Sequence, residues 1–214
     1  MEINKRKWYQ GSIGIIALII LFLPQNAFAA KPQPTPTPTP IHTVCVDPGH
    51  GGTDTGAVYK TITEAQENLN IANRLQTLLT NAGYAVVMTR TTTDQDPSNT
   101  DRANTCNTNN ADVLVSVHLN GSTDHSIDYT MGLYGKTNKD KAWAQKINSA
   151  MILGIANNGI TNFADGVLIK ANMPATLAET VFISSDTEYA LLTDGTGNRQ
   201  QQIAQALFAG ITSH

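Results

Sequence analysis

The sequence predicts an α/β fold: a single domain with a central, mostly parallel sheet flanked by helices on both faces. Three observations predict it. Apolar runs of strand length alternate with stretches of helical periodicity, the pattern of strands joined by helical crossovers. Two of those runs, 44–47 and 112–117, each lead to a histidine, His50 and His118. Open α/β sheets gather their sites outside the carboxyl ends of strands. Finally, residues 41–214 have the length of one domain with its own core.

Two segments precede that domain. In residues 1–29, Lys5, Arg6 and Lys7 form a basic start, 13–23 is an apolar stretch, and Ala27-Phe28-Ala29 is a small-x-small cleavage site. This is signal-peptide anatomy, with cutting expected after Ala29. The apolar run is shorter than the roughly 20 residues of a comfortable spanning helix. The alternative is an uncleaved anchor, the one route to membrane contact. Residues 30–40 alternate Pro and Thr, which favours an extended, semi-rigid spacer.

Within the domain, 44–47 reads as a strand and 49–60 as a glycine-rich loop. Residues 63–81 read as a helix, with Leu69, Ala72, Leu75 and Leu79 at helical spacing, Thr63 placed to cap its start and Gly83 just past its end. A strand is expected at 84–89, a polar loop at 90–99 and a helix at 100–109 capped by Thr100 or Asp101. Residues 112–117 form the strand that delivers His118, and 120–129 is polar without apolar periodicity. Strands follow at 131–134, 166–169 and 175–179, and helices at 140–153, 187–192 and 200–211.

The chain carries a net charge of −3; residues 1–29 hold +2 of it, leaving −5 on the rest. With no basic patch, nucleic acid is not an expected partner. Mild acidity also disfavours electrostatic adhesion to an anionic wall or membrane. No coiled-coil pattern implies an obligate assembly, so a monomer is expected. Two cysteines, Cys45 and Cys106, in an exported chain form either one disulfide or two buried thiols. Cys45 lies too far inside its strand for a zinc ligand at the strand's mouth.

Two strands delivering a histidine from the same end suggest a metal site. A catalytic zinc takes three nitrogen or oxygen ligands and keeps a fourth position open. His50 and His118 supply two, and Asp54, Glu64 or Glu67 could supply the third. Spacing alone barely separates Glu64 from Asp54. Glu179, ending the run 174–178, is a candidate base, or else a surface residue capping the next segment. Asp47 suits either a partner orienting a ligand histidine or a turn-stabilising role.

The motifs resemble those of the zinc-dependent N-acetylmuramoyl-L-alanine amidases, the cell-wall hydrolases. The resemblance covers about 43–211. It rests on Val46-Asp47-Pro48-Gly49-His50-Gly51-Gly52 with Asp54, Gly56 and Ala57; on Glu64, Asn68-Leu69 and Ile71-Ala72; and on Met88-Thr89-Arg90. It continues through Arg102, Ala111-Asp112 and Ser116-Val117-His118-Leu119-Asn120, and ends with Met173-Pro174-Ala175, Leu177, Glu179, Phe182-Ile183-Ser184 and Glu188. Five motifs in order are far more specific than any one.

The resemblance implies His50, Glu64 and His118 as ligands of Zn2+ and Glu179 as the catalytic glutamate. It thereby favours Glu64 over Asp54; Asp47, Asp54 and Asn120 remain candidates for supporting or substrate roles. It implies a secreted, extracytoplasmic enzyme at the cell wall that cleaves the amide between N-acetylmuramic acid and L-alanine in peptidoglycan. A non-catalytic peptidoglycan-binding protein and a zinc peptidase cutting within the stem peptide are the alternatives. Thr180-Val181 and Ser185 depart from the family's usual glycine and asparagine. Some relatives carry a long inserted helix that blocks the zinc site; the short polar interval after His118 predicts none here. His42, His125 and His214 are expected in solvent, Trp143 in packing, and Arg90 and Arg102 in carboxylate pairs.

Overall fold

The computed structural model describes residues 41–164 and 166–213; the expected signal peptide and spacer, and His214, lie outside the described residues. Six strands form one sheet in the order β4-β1-β5-β8-β6-β7: β1 (Thr43–Pro48), β4 (Ala85–Met88), β5 (Val113–Asn120), β6 (Tyr129–Tyr134), β7 (Ala156–Asn162) and β8 (Ala175–Phe182). The pairs from β4 through β1 and β5 to β8 are parallel, β8–β6 is antiparallel and β6–β7 parallel. The sheet is therefore mostly parallel. A small hairpin, β2 (Val58–Tyr59) and β3 (Ile62–Thr63), interrupts the glycine-rich loop.

Alternation along the central strands sends side chains to both faces, and both faces are covered. Val44, Val46, Val115 and Val117 pack under α1 (Glu64–Asn81), α3 (Thr137–Ala150) and α6 (Asn198–Thr212). Cys45, Leu114 and Ala175 point the other way, under α2 (Asn99–Thr108) and α4 (Gly166–Lys170). Trp143 packs as expected, its indole N–H donating to Leu114 O at 2.9 Å. Cys45 and Cys106 are joined in a disulfide that ties β1 to α2. Among the described residues, no helix is long and apolar enough to cross a membrane, and none lies between 121 and 128.

Thr63 caps α1, its hydroxyl accepting from Gln66 N. Three readings need correction. Residues 166–170 form helix α4, not a strand: Val167 and Leu168 both bury against α2 while Ile169 stays exposed, an arrangement that period-two alternation does not give. Edge strand β7 escapes a search for apolar alternation because its sequence, ANNGITN, is polar and mostly exposed. The cap of α2 is Ser98, whose hydroxyl accepts from Asp101 N (3.2 Å) and donates to Asp101 Oδ2 (2.6 Å). Helix α5 (Asp186–Leu192) is likewise capped by Ser185.

Candidate metal centre

His50 follows β1 by two residues and adopts a left-handed backbone, φ 59°, which is costly for a side-chain-bearing residue. Two buried arginines hold the loop in place. Arg90 donates to Pro48 O (2.9 Å), Gly49 O (2.9 Å) and Ala65 O (2.7 Å). Arg102 donates to Pro48 O (2.7 Å) and His50 O (2.8 Å), and pairs with Asp47 (2.9 Å). Arg102 thus meets a carboxylate as expected, whereas Arg90 serves backbone carbonyls. Burial, together with repulsion from Arg102, lowers the Arg90 guanidinium to about 10. Gly49 has no room for a side chain: a Cβ there would fall 2.1 Å from the His118 ring.

Glu64 is the first residue of α1. Its Oε1 lies 2.9 Å from His118 Nδ1 and 3.2 Å from His50 Nε2, and accepts from Leu119 N at 3.2 Å. Its Oε2 accepts from Ala57 N at 2.9 Å. Burial by itself would raise this carboxyl, but the hydrogen bonds and charges of His118 and His50 outweigh it and hold Glu64 far below the usual carboxylate range. The hydrogen bond to Glu64, helped by Asp54 and opposed by burial, lifts His50 to about 9.

The other two acidic candidates lie elsewhere. Asp54 engages the far side of the His50 ring, Oδ2 to Nδ1 at 2.8 Å, and accepts from Gly56 N. Gly56 is φ 61° and pressed against Glu64 and His50: a Cβ would come 2.6 Å from Glu64 Oε2 and 2.7 Å from the His50 ring. Glu67 turns to α6 and accepts from Gln200 at 2.8 Å. Asp47 touches no histidine of the cluster. It is buried and bonded to Arg102, Ser116 and Thr89, which together overcome burial and lower its pKa. The Asn120 side chain accepts from Gly121 N at 2.8 Å. Spacing did not single out Asn68, which donates to Gly49 O and Glu64; its place four residues after Glu64 on α1 was the available clue.

One donor atom from each of His50, Glu64 and His118 lies within 4.8 Å of the others. Glu179 stands beside them on β8, in register with His118 on β5. Its Oε2 is buried with no hydrogen-bond partner, and burial raises its pKa. Two imidazoles and a carboxylate are the donor set of a catalytic zinc, Asp54 supplies the usual partner for the second ring nitrogen, and an orphaned carboxyl oxygen waits alongside. The residues fit that ion. His125 is exposed but not free: its Nδ1 lies 2.9 Å from Ser184 O and its ring packs on Tyr59. Thr180 donates to His118 O at 3.0 Å, bracing that strand.

The sequence pattern of the N-acetylmuramoyl-L-alanine amidase family matches residues 44–213. The chain belongs to that family. It is accordingly an enzyme of the amidase class, and its mostly parallel six-strand sheet with helices around it is the fold of amidase catalytic domains. The chain is 30% identical over 177 residues to the N-acetylmuramoyl-L-alanine amidase LytC of Bacillus subtilis, covering 80% of this chain and 35% of that protein. It is 29% identical over 229 residues to the germination-specific N-acetylmuramoyl-L-alanine amidase of the same species, covering 97% and 94%. Among solved structures, the catalytic domain of the amidase CwlV from Bacillus (Paenibacillus) polymyxa var. colistinus superposes with a TM-score of 0.74 at 29% identity, covering 80% of this chain and 97% of that one. An amidase from Clostridium difficile 630 also gives 0.74, at 34% identity, covering 80% and 95%.

Proposed function

We propose that this protein is a secreted, zinc-dependent N-acetylmuramoyl-L-alanine amidase that works on peptidoglycan outside the cytoplasm. The observation that carries this reading is the convergence of His50, Glu64 and His118 with Glu179, whose Oε2 is buried and unpartnered, next to them in strand register. Residues 1–29 are its signal peptide, 30–40 its spacer and 41–214 its catalytic domain.

The residues divide the chemistry as follows. His50, Glu64 and His118 hold the zinc ion, which when bound supplies Lewis acidity toward water and the scissile carbonyl. Asp54 keeps His50 in the tautomer that presents Nε2. Glu179 takes the proton from the water that attacks the lactyl carbonyl carbon. It then passes that proton to the alanine nitrogen as the C–N bond breaks, because an amide anion is a very poor leaving group. Water is consumed, a carboxylate forms on the muramyl side, and a free amino group forms on alanine.

The test uses the chain from residue 30 onward, incubated with peptidoglycan with and without chelator, beside Glu179→Ala. Products are identified by mass spectrometry. The expected result is metal-dependent release of stem peptides with a free N-terminal alanine, lost in the variant. Ends internal to the stem peptide would replace this reading with a peptidase. Zinc binding without any cleavage would leave a wall-binding protein.

A further inference from the structure

Below the metal centre, the same sheet face continues into a pocket of about 350 Å³. The strand registers define its floor. Asp47, Ser116 and Leu177 lie side by side on β1, β5 and β8, one step below His118 and Glu179. The next step down, Cys45, Leu114 and Ala175, is already covered by α2 and α4, which pack on each other through Ala103, Cys106, Val167 and Leu168. The pocket is therefore closed at its far end. The walls also approach each other where α2 and α4 begin: a Cβ on Gly166 would sit 3.2 Å from Asn99.

The two walls differ chemically. One carries Phe163, 46% exposed, with Val167 behind it. The other carries Asp96, an exposed carboxylate that accepts a long hydrogen bond from Thr53 (3.4 Å) and makes no ion pair among the described residues. The cation at the pocket's base, Arg102, is buried and already bound to Asp47 and three backbone carbonyls. Asp54, the other exposed acid among the described lining residues, has both oxygens engaged. Asp96 thus has acceptor capacity left for a cation, opposite an aromatic wall.

We propose that this pocket receives the stem peptide, with Asp96 binding the free side-chain ammonium of a diamino-acid residue and Phe163 covering the peptide's apolar surface. The inference rests on the amidase reading above. A glycan strand runs on in both directions from every muramic acid, so it cannot end in a pocket closed at one side. A stem peptide is a short branch with an end. Crosslinking through the side-chain amine removes the positive charge and attaches a second peptide where the closed pocket leaves no room for one, so uncrosslinked stems are the preferred substrates.

Two soluble muropeptides, identical except for acetylation of the diamino residue's side-chain amine, test this. Wild type should favour the free amine in kcat/KM by roughly tenfold, the worth of one charge-assisted hydrogen bond. Asp96→Asn should abolish the preference by raising KM for the free-amine substrate, leaving kcat and the acetylated substrate unchanged. Phe163→Ala should raise KM for both. By calorimetry, the free alanyl-glutamyl-diamino acid tripeptide should bind the metal-free protein, and more weakly after Asp96→Asn. Equal wild-type rates on the two muropeptides, or an equal effect of Asp96→Asn on both, would overturn the proposal. Failure of zinc-loaded wild type to cut either muropeptide would instead sink the amidase reading, while the tripeptide titration would still decide this one.

Discussion

Zinc binding should depend steeply on pH, because in the metal-free protein His50 is held as a cation. Its pKa stands at about 9, raised first by the hydrogen bond to Glu64. A metal takes only the neutral imidazole, so binding must displace that proton. At pH 7, two units below the pKa, only about one molecule in a hundred has His50 neutral. Apparent zinc affinity should therefore rise about tenfold per pH unit toward pH 9, and at pH 7 should lie about a hundredfold under its plateau. Competition against a calibrated chelator at several pH values measures the slope. Titration calorimetry in buffers of different ionisation enthalpy should count about one proton released per zinc at pH 7. The metal-free protein should show the opposite trend in stability. His50's folded pKa is raised above 6.5, so its contribution is complete below that pH and is lost as pH rises through about 9. Glu64's folded pKa is lowered below 4.5, so its contribution is present above that pH and is lost as pH falls. A zinc affinity flat between pH 6.5 and 9, with no proton released, would refute the reasoning.

Three further outcomes are expected. Reducing the Cys45–Cys106 disulfide, which closes a separation of 61 residues, should cost roughly 4 kcal/mol by chain entropy and lower Tm by roughly 10 °C; thermal unfolding of oxidised against reduced and refolded protein measures it, and a shift within about 2 °C would count against it. Asp54→Ala removes the acceptor from His50 Nδ1 and should weaken zinc binding by about 10–100-fold, with little change in Tm because Asp54 is exposed; equilibrium dialysis reads the first and calorimetry the second. Glu188→Ala strands Arg199, buried on α6 and paired with both Glu188 oxygens, and should cost roughly 3–5 kcal/mol in a denaturant titration; removing both partners together should cost less than removing Glu188 alone.

The central sheet was legible because its strands are buried on both faces and so read as short apolar runs between glycines and polar caps. The outer elements were not. In 166–169, four residues are too few for periodicity to separate strand from helix, and only the packing of Val167 and Leu168 on α2 decides it. Edge strand β7 is held by its ladder to β6 rather than by any buried apolar stripe, so its sequence carries little pattern. At the site, the histidines announced themselves as residues following apolar runs. The choice between Asp54 and Glu64 could not come from spacing, because both lie within reach of His50, on opposite ring nitrogens, and only the fold brings Glu64 to His118 as well. Phe163 gave no sign at all; it matters through a wall that α4, misread as a strand, helps to build.

Glu64 and Glu179 are the same residue type in one site, and their surroundings push them in opposite directions. Glu64 opens a helix, where backbone N–H groups favour negative charge, and accepts from two histidines and two backbone amides. It is ionised at any ordinary pH, as a permanent ligand requires. Glu179 has a buried oxygen with no donor, and burial raises its pKa, as suits a group that must pick up and release a proton. A bound dication would oppose that burial effect and keep Glu179 ionised until the proton arrives. The two positions should therefore fail differently when made neutral. Glu64→Gln should lose zinc and turnover together, whereas Glu179→Gln should keep zinc and lose turnover alone. Metal content measured beside kcat on the same preparations separates the two, and zinc loss in both variants would mean that Glu179 belongs to the ligand set rather than to the proton path.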